Sequence, residues 1–205
     1  ESHGSLHRLS KEAIAGAQEL GGDIAALIIG KNSDTIASEL FSFDLTEIIT
    51  VHHQMVETYN ADGYSEIIKK IIKAESPNLI VAGHTYQTRD FIPRVSAGLN
   101  IPFIPDVVSL SDGKFVKQVL NAKLNATLSS NSGQAIISFQ SAAFSDENIR
   151  KGFCSTRSFD VNLDSTIVRS VSEMPFQEEA GDVDLESAEL LVSVGRGIEK
   201  EENIQ

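Results

Sequence analysis

The chain has 205 residues and a mass of 22.2 kDa, with 41% hydrophobic and 22% charged residues, a length that suits one large domain or one domain with part of a second. This apolar share is enough to build a buried core, so disorder over the whole length is excluded. Seventeen Lys and Arg against 29 Asp and Glu give a formal net charge of −12, which argues against nucleic acid or an anionic membrane surface as the partner.

The first half of the sequence alternates between helix and strand patterns. Apolar residues at three- and four-residue spacing predict helices, and short apolar runs between them predict strands that are buried on both faces. The predicted helices cover residues 6–20, 33–40, 65–74 and 89–99, and the predicted strands cover residues 23–29, 46–51 and 78–82. The last helix contains Pro93, which is tolerable only if the helix starts late, near Phe91 or Ile92. The alternation predicts right-handed βαβ units and a mostly parallel sheet.

After residue 99 the pattern changes to strands only. Strands are predicted over residues 103–110, 114–128 and 134–139, joined by Asp112-Gly113 and Ser132-Gly133 turns that favour antiparallel hairpins. A further strand is predicted over residues 166–171. The predicted fold class is therefore α/β, with a mostly parallel, Rossmann-like sheet flanked by helices and an antiparallel hairpin extension. Such a fold normally opens with a strand, whereas this chain opens on a loop before a helix, so we expect either a lost strand or a fragment.

A change in composition divides the chain near residue 173. Residues 173–189 contain seven acidic residues, and no Lys or Arg occurs between residues 170 and 195. We predict an α/β domain over residues 1–172 and an exposed acidic linker over residues 173–186. A fresh buried-strand pattern at residues 189–193 precedes Val194-Gly195-Arg196-Gly197, so residues 187–205 are interpreted as the start of a truncated second domain.

The strongest chemical candidate is Gly195-Arg196-Gly197. Glycines allow the backbone to approach a phosphate, and an arginine pairs with phosphate oxygens in a bidentate manner. The alternative interpretation is an ordinary tight turn. The loop over residues 83–90 is a second candidate, because open α/β sheets bind ligands at the carboxyl ends of their strands. Its alternative interpretation is a simple connection in which Thr88 caps the helix and Arg89 pairs with Asp90.

Other reactive side chains give weaker signals. His52 and His53 are adjacent and cannot both face one metal from an extended chain, so we interpret them as a surface pair. Cys154 near Arg157 allows some thiolate activation, but without a neighbouring histidine we interpret it as incidental. No catalytic motif and no zinc-ligand spacing occurs.

Four blocks of the sequence carry a resemblance to a known family. They are residues 17–23 (AQELGGD), 83–96 (GHTYQTRDFIPRVS), 104–108 (IPDVV) and 187–197 (SAELLVSVGRG). Their order and separation resemble those of the electron transfer flavoprotein alpha subunit. The sequence departs from the family pattern at Thr88 and Val194, each of which stands where the family has glycine.

The resemblance implies a fold like that of adenine nucleotide alpha hydrolases and a heterodimer in which the N-terminal domain contacts a beta subunit. It also implies an FAD-containing electron carrier, rather than a classical enzyme, that accepts electrons from acyl-CoA or other dehydrogenases and passes them to a quinone oxidoreductase. By match of motif, Arg196 would contact the phosphate of FAD, with Gly195 and Gly197 giving it room. We expect FAD in the complete heterodimer and not on this stretch alone.

The resemblance further implies a cytoplasmic protein in bacteria or a mitochondrial-matrix protein in eukaryotes, without direct membrane insertion. Two alternatives remain open. One is a cofactor-free assembly subunit, and the other is an adenine-nucleotide-binding α/β module. The second alternative needs a phosphate loop near the first strands, for which Gly30-Lys31-Asn32-Ser33 is too short.

Overall fold

The computed structural model describes residues 5–166, 168–173, 190, 192–198 and 200. The chain divides into two units, Glu1–Ser172 and Glu173–Gln205, and each is described by itself. Most of the predicted acidic linker, residues 174–186, lies outside the described residues, as do Glu189 and Leu191 of the last predicted strand.

The first unit contains four α-helices, two short 3-10 helices (Gln54–Val56 and Asp146–Asn148) and eight strands among the residues described. The helices are α1 (Arg8–Leu20), α2 (Ser33–Leu40), α3 (Ala61–Glu75) and α4 (Tyr86–Leu99). The strands are β1 (Ala25–Ile29), β2 (Glu47–Val51), β3 (Leu79–Gly83), β4 (Phe103–Ser111), β5 (Lys114–Val119), β6 (Leu124–Leu128), β7 (Ala135–Phe139) and β8 (Ser155–Ser158). None of the described helices is long and apolar enough to span a membrane.

The strands form two sheets, one wholly parallel and one with both parallel and antiparallel pairs. The first sheet has the order β1-β2-β8 with parallel pairs, and the second has the order β3-β7-β4-β5-β6. In the second sheet β3, β7 and β4 are parallel, whereas β4, β5 and β6 are antiparallel. The predicted α/β class with a mostly parallel sheet flanked by helices is confirmed, and the hairpin extension is formed by β5 and β6.

The predicted strands after residue 99 differ from the structure in two places, one in the bounds of a strand and one in the pairing of another. The strand predicted over residues 114–128 is two strands, because Leu120, Asn121 and Ala122 adopt positive φ and turn the chain between β5 and β6. The strand β7 does not form a hairpin at Ser132-Gly133 but lies between β3 and β4, parallel to both. Every residue of β7 is buried, and a strand buried on both faces belongs in the middle of a sheet.

Two further strand predictions are wrong. The described residues of the segment 166–171 form no strand, and the last strand of the unit, β8, lies earlier, in a polar segment without periodicity. Strand β8 pairs in parallel with β2, and Arg157 bonds Glu47 of β2 through Nε–Oε2 and Nη2–Oε1 distances of 2.7 and 3.1 Å. In the second unit, Leu190 and residues 192–195 are exposed and form no strand. A strand needs a hydrogen-bonded neighbour, and no described residue pairs with them.

Helices α3 and α4 begin earlier than their apolar patterns predict, and a polar residue caps each of them. Asn60 caps α3 by accepting a hydrogen bond from the Gly63 N–H at 2.9 Å. Thr85, not Thr88, caps α4, and its Oγ1 accepts from the Thr88 N–H at 3.1 Å. The helix α4 therefore starts at Tyr86 and contains Pro93, against the prediction of a late start. Pro93 is itself exposed, and the helix is held on both sides of it by the buried side chains of Phe91, Ile92 and Val95.

Helix α1 packs closely against the second sheet at the carboxyl end of β7. Gly16 makes this possible, because a Cβ at that position would lie 2.5 Å from Cε2 of Phe139 in β7. Buried Gln18 then ties the helix to two loops: its Nε2 donates to the Asp44 carbonyl at 2.9 Å, and its Oε1 accepts from the Arg150 N–H at 2.7 Å. These contacts hold the C-terminal half of α1 against β7 and against the two loops.

Candidate functional site

The loop at the carboxyl end of β3 carries a histidine that is bonded into the sheet. His84 Nδ1 lies 2.8 Å from Oγ of Ser138, on β7, and Ser138 Oγ accepts from the Asp106 N–H at 3.2 Å. Because Ser138 accepts from Asp106, its own hydroxyl proton is available to donate to His84 Nδ1. The proton of the neutral ring then sits on Nε2, which lies 4.0 Å from Oδ1 of Asp106.

The electrostatics favour this neutral form of His84. Burial lowers the pKa of the ring, the carboxylate of Asp106 opposes that effect, and the positive charges of Arg89 and Lys117 reinforce it. The side chain is 19% exposed. The ring therefore acts as a neutral hydrogen-bonding group near neutral pH.

The Ser138–His84–Asp106 cluster does not have the properties of a nucleophilic site. Ser138 is fully buried, so no substrate reaches its hydroxyl. The cluster instead joins the carboxyl ends of three neighbouring strands. Sequence reasoning did not select Ser138, since a lone serine within an apolar strand carries no recognisable signal, and it placed Asp106 only within a family block.

A cavity of about 350 Å³ opens beside this cluster, between the N-terminal ends of α1 and α4. It is lined by His7, Leu9, His84, Thr85, Tyr86 and Arg89. The loop that the sequence predicted as a ligand contact therefore does border a cavity. The pairing of Arg89 with Asp90 is not formed: Arg89 lies 5.7 Å from the ring centroid of Tyr86, whereas Asp90 bonds Arg94 and Tyr59.

The remaining reactive side chains are engaged in local structure. His52 Nε2 lies 2.7 Å from Oγ of Ser33, and His53 Nδ1 accepts from the Met55 N–H at 3.1 Å, so the two rings serve different turns. Cys154 donates to the Leu40 carbonyl, and burial raises the pKa of its thiol, which removes the thiolate activation allowed by the sequence. In the described part of the chain, no three His, Cys, Asp or Glu residues are grouped as a metal site would need.

The second unit holds the Gly195-Arg196-Gly197 segment as an exposed turn. Residues Arg196–Ile198 form one turn of 3-10 helix, and the Ile198 N–H donates to the Gly195 carbonyl at 3.1 Å. Among the described residues, no heavy atom lies within 4 Å of the position that a Cβ would take at Gly195 or at Gly197. The side chain of Arg196 lies outside the described part of the structure. The turn leaves open space for an approaching group on both glycines.

The protein belongs to the class of α/β domains with mostly parallel strands and an antiparallel hairpin. A glycine-rich turn follows this domain in the chain. Comparison with known families then identifies it: residues 1–160 match the family model described as "Electron transfer flavoprotein domain". The chain belongs to the electron transfer flavoprotein family.

Several curated proteins are similar to this chain over nearly its whole length. The electron transfer flavoprotein subunit alpha of Bacillus subtilis is 30% identical over 219 residues, covering 98% of this chain and 64% of that protein. The subunit alpha of Thermoanaerobacterium thermosaccharolyticum is 24% identical over 209 residues, covering 97% and 63%. A protein of Anaerotignum propionicum named "Acryloyl-CoA reductase electron transfer subunit beta" is 24% identical over 219 residues, covering 90% and 59%. The chain thus spans less than two thirds of the length of these relatives.

Proposed function

We propose that this chain is the N-terminal part of an electron transfer flavoprotein alpha subunit. Such a subunit carries electrons on FAD and does not catalyse a reaction of its own. The observation that carries the proposal is the family match over residues 1–160, together with relatives named subunit alpha. The buried, fully bonded Ser138 supports a structural role for the domain, because its most enzyme-like cluster is closed to substrates.

The Gly195-Arg196-Gly197 turn is the proposed phosphate contact of FAD. The open space at both glycines fits a phosphate that approaches the backbone, and an arginine is the residue type that pairs with phosphate oxygens most specifically. When bound, the flavin supplies the one- and two-electron chemistry. The residues of this chain would hold its nucleotide end in place. In this proposal residues 173–186 are a linker and residues 187–205 begin the FAD-binding domain.

The proposed partners follow from the same assignment. The domain over residues 1–172 would contact a beta subunit, and the heterodimer would accept electrons from acyl-CoA or other dehydrogenases and deliver them to a quinone oxidoreductase. The relative named as an electron transfer subunit of acryloyl-CoA reductase supports an acyl-CoA enzyme as one class of redox partner. The expected compartment is the bacterial cytoplasm or, in a eukaryote, the mitochondrial matrix.

The test is the cofactor content of the heterodimer. The natural full-length chain is co-expressed with the beta subunit, and the purified complex is examined by visible absorbance and by chromatography of the released nucleotides. We expect a flavin spectrum and release of FAD. A stable heterodimer without flavin would support the cofactor-free assembly subunit instead, and release of adenine nucleotides alone would support the nucleotide-binding module.

A further inference from the structure

The cavity beside His84 has walls of defined position and the volume of a small-molecule site. One wall is the start of α1 and the other is the start of α4. The start of α1 packs against the end of β3, because a Cβ at Gly83 would lie 2.8 Å from Cβ of Leu9. The volume of about 350 Å³ lies within the range of about 300–1,000 Å³ that small-molecule sites occupy. The cavity can therefore receive a small molecule without a rearrangement of the sheet.

The two histidines that line the cavity each present a hydrogen-bond donor. Nδ1 of His7 accepts from the Leu9 N–H at 3.1 Å, and Nδ1 of His84 lies 2.8 Å from Oγ of Ser138. Because both Nδ1 atoms act as acceptors, the proton of each neutral ring is on Nε2. Neither Nε2 atom forms a hydrogen bond with a residue that the structure describes, and Oδ1 of Asp106, at 4.0 Å from Nε2 of His84, is beyond hydrogen-bond distance.

Arg89 adds a positive charge that pairs with no carboxylate among the described residues. Four other arginines of the first unit each form an ion pair with a carboxylate: Arg8, Arg94, Arg150 and Arg157. The guanidinium of Arg89 instead lies 5.7 Å from the ring centroid of Tyr86, in a cation–π contact that uses none of its N–H donors. In a chain with a net charge of −12, an arginine of this kind at a cavity is available to an external anion.

The charge around His84 also favours an anion. Of the described charged side chains that act on the ring, Arg89 and Lys117 are positive and Asp106 is negative. The ring is only 19% exposed, so these charges are screened less than they would be in water. The N-terminal ends of α1 and α4 add partial positive charge, which reinforces the preference set by the side chains. An oxyanion is the ligand chemistry that these donors and charges favour.

We propose that this cavity binds the phosphate or carboxylate group of a small molecule, with the guanidinium of Arg89 pairing with the oxyanion and the Nε2–H groups of His7 and His84 donating to it. A bidentate arginine contact matches two oxygens of either group. Leu9 and the ring of Tyr86 supply apolar contacts for the rest of the molecule. The proposed cavity site lies in the first unit and is separate from the proposed flavin contact at residues 195–197.

The test measures the binding of two simple oxyanions to the full-length protein by isothermal titration calorimetry at constant ionic strength. Inorganic phosphate and citrate are titrated separately, which distinguishes a phosphate ligand from a carboxylate ligand. We expect saturable binding of at least one of them. Arg89→Gln should raise its dissociation constant at least about tenfold, because a charge-assisted pair with the oxyanion is lost.

Two further variants make the result specific to the cavity. Arg169→Gln removes the same charge from an exposed position of the first unit and should leave the dissociation constant within about twofold. His7→Asn removes the imidazole N–H but keeps a side-chain acceptor that can cap α1, and it should raise the dissociation constant about threefold. Circular dichroism confirms the fold of each variant, and flavin absorbance is recorded in the same samples.

Each outcome has a defined consequence. Binding that Arg89→Gln weakens and Arg169→Gln does not weaken supports the inference, and the anion that binds gives the ligand class. If neither anion binds, or if Arg89→Gln leaves the affinity unchanged, the inference is overturned. Equal weakening by Arg89→Gln and Arg169→Gln would reflect net charge alone and would also overturn it. Because flavin content is measured independently, failure of the cavity site and failure of the proposed function are separate results.

Discussion

Glycine serves opposite purposes in α1 and in the turn at residues 195–197. At Gly16 the missing side chain lets α1 contact Phe139, and a Cβ there would lie 2.5 Å from the ring. At Gly197, no heavy atom of the residues that the structure describes lies within 4 Å of the Cβ position. The first glycine is needed by the fold, whereas the second leaves space that the fold does not use. The space at Gly197 is available to a ligand, whereas the close contact at Gly16 stabilises the packing of the α/β domain.

The largest expected effect on stability is at Gln18. Its side chain bonds the Asp44 carbonyl and both backbone polar groups of Arg150. Gln18→Leu leaves the Asp44 carbonyl and the Arg150 N–H without this partner, whereas the Arg150 carbonyl still accepts from the Asp44 N–H. We expect a loss of about 3 kcal/mol in the free energy of unfolding, measured by urea denaturation. Gln87→Leu, at an exposed position in the first turn of α4, is the control and should change it by less than about 0.5 kcal/mol. Equal effects of the two substitutions would contradict the structural role of Gln18.

The comparison of the two glycines gives the next prediction. Gly16→Ala should destabilise the protein by about 2 kcal/mol, because the rings of Phe139 and Phe144 have no room to move in the packed core. Gly197→Ala should leave the unfolding free energy unchanged, since the added methyl group meets nothing. Thermal unfolding of the two variants measures both effects. A stabilised Gly16→Ala protein would show that α1 does not contact β7 this closely.

Much of the fold could be predicted from the sequence because its signals are local. The alternating apolar patterns of α1, β1, α2, β2, α3 and β3 gave the βαβ units, and glycine turns marked their ends. The position of β7 could not be predicted in this way, because pairing between β3 and β7 joins residues about fifty positions apart and leaves no local trace. The start of α4 was missed because Pro93 outweighed the capping signal of Thr85.

The candidate site was predicted only in part for the same reason. The loop at residues 83–90 could be found from its place after a buried strand, and it does border the cavity. Its partner Ser138 lies on β7, for which the sequence predicted the wrong neighbour. Asp106, on β4, was noticed only as part of a family block. The Gly195-Arg196-Gly197 turn was selected by its residue types, and its role as a phosphate contact stays a prediction.

A smaller effect is expected from the titration of His84. Its pKa in the folded protein lies below the ordinary value of 6.5, mainly because of burial. The unfolded chain therefore binds a proton near pH 6.5 that the folded chain does not, and stability falls as the pH is lowered through this value. The slope is at most about 1.4 kcal/mol per pH unit. His84→Asn removes the titrating group.

The measurement is the difference in unfolding free energy between the unsubstituted protein and His84→Asn at pH 7 and at pH 5. The unsubstituted protein should lose more stability than the variant over this interval, because only its folded state resists protonation of His84. Parallel losses in the two proteins would mean that the pKa of His84 is not lowered, and a smaller loss in the unsubstituted protein would mean that Asp106 outweighs burial.

The most direct test of the proposed flavin site is the FAD content of the full-length heterodimer with Arg196→Ala, compared with Arg169→Ala at an exposed position of the α/β domain. A charge-assisted phosphate contact contributes about 1.5–3 kcal/mol. We therefore expect Arg196→Ala to raise the dissociation constant of FAD by about 10- to 150-fold and Arg169→Ala to leave it unchanged. An unchanged FAD affinity in the Arg196→Ala heterodimer would contradict the assignment of residues 195–197 as the phosphate contact.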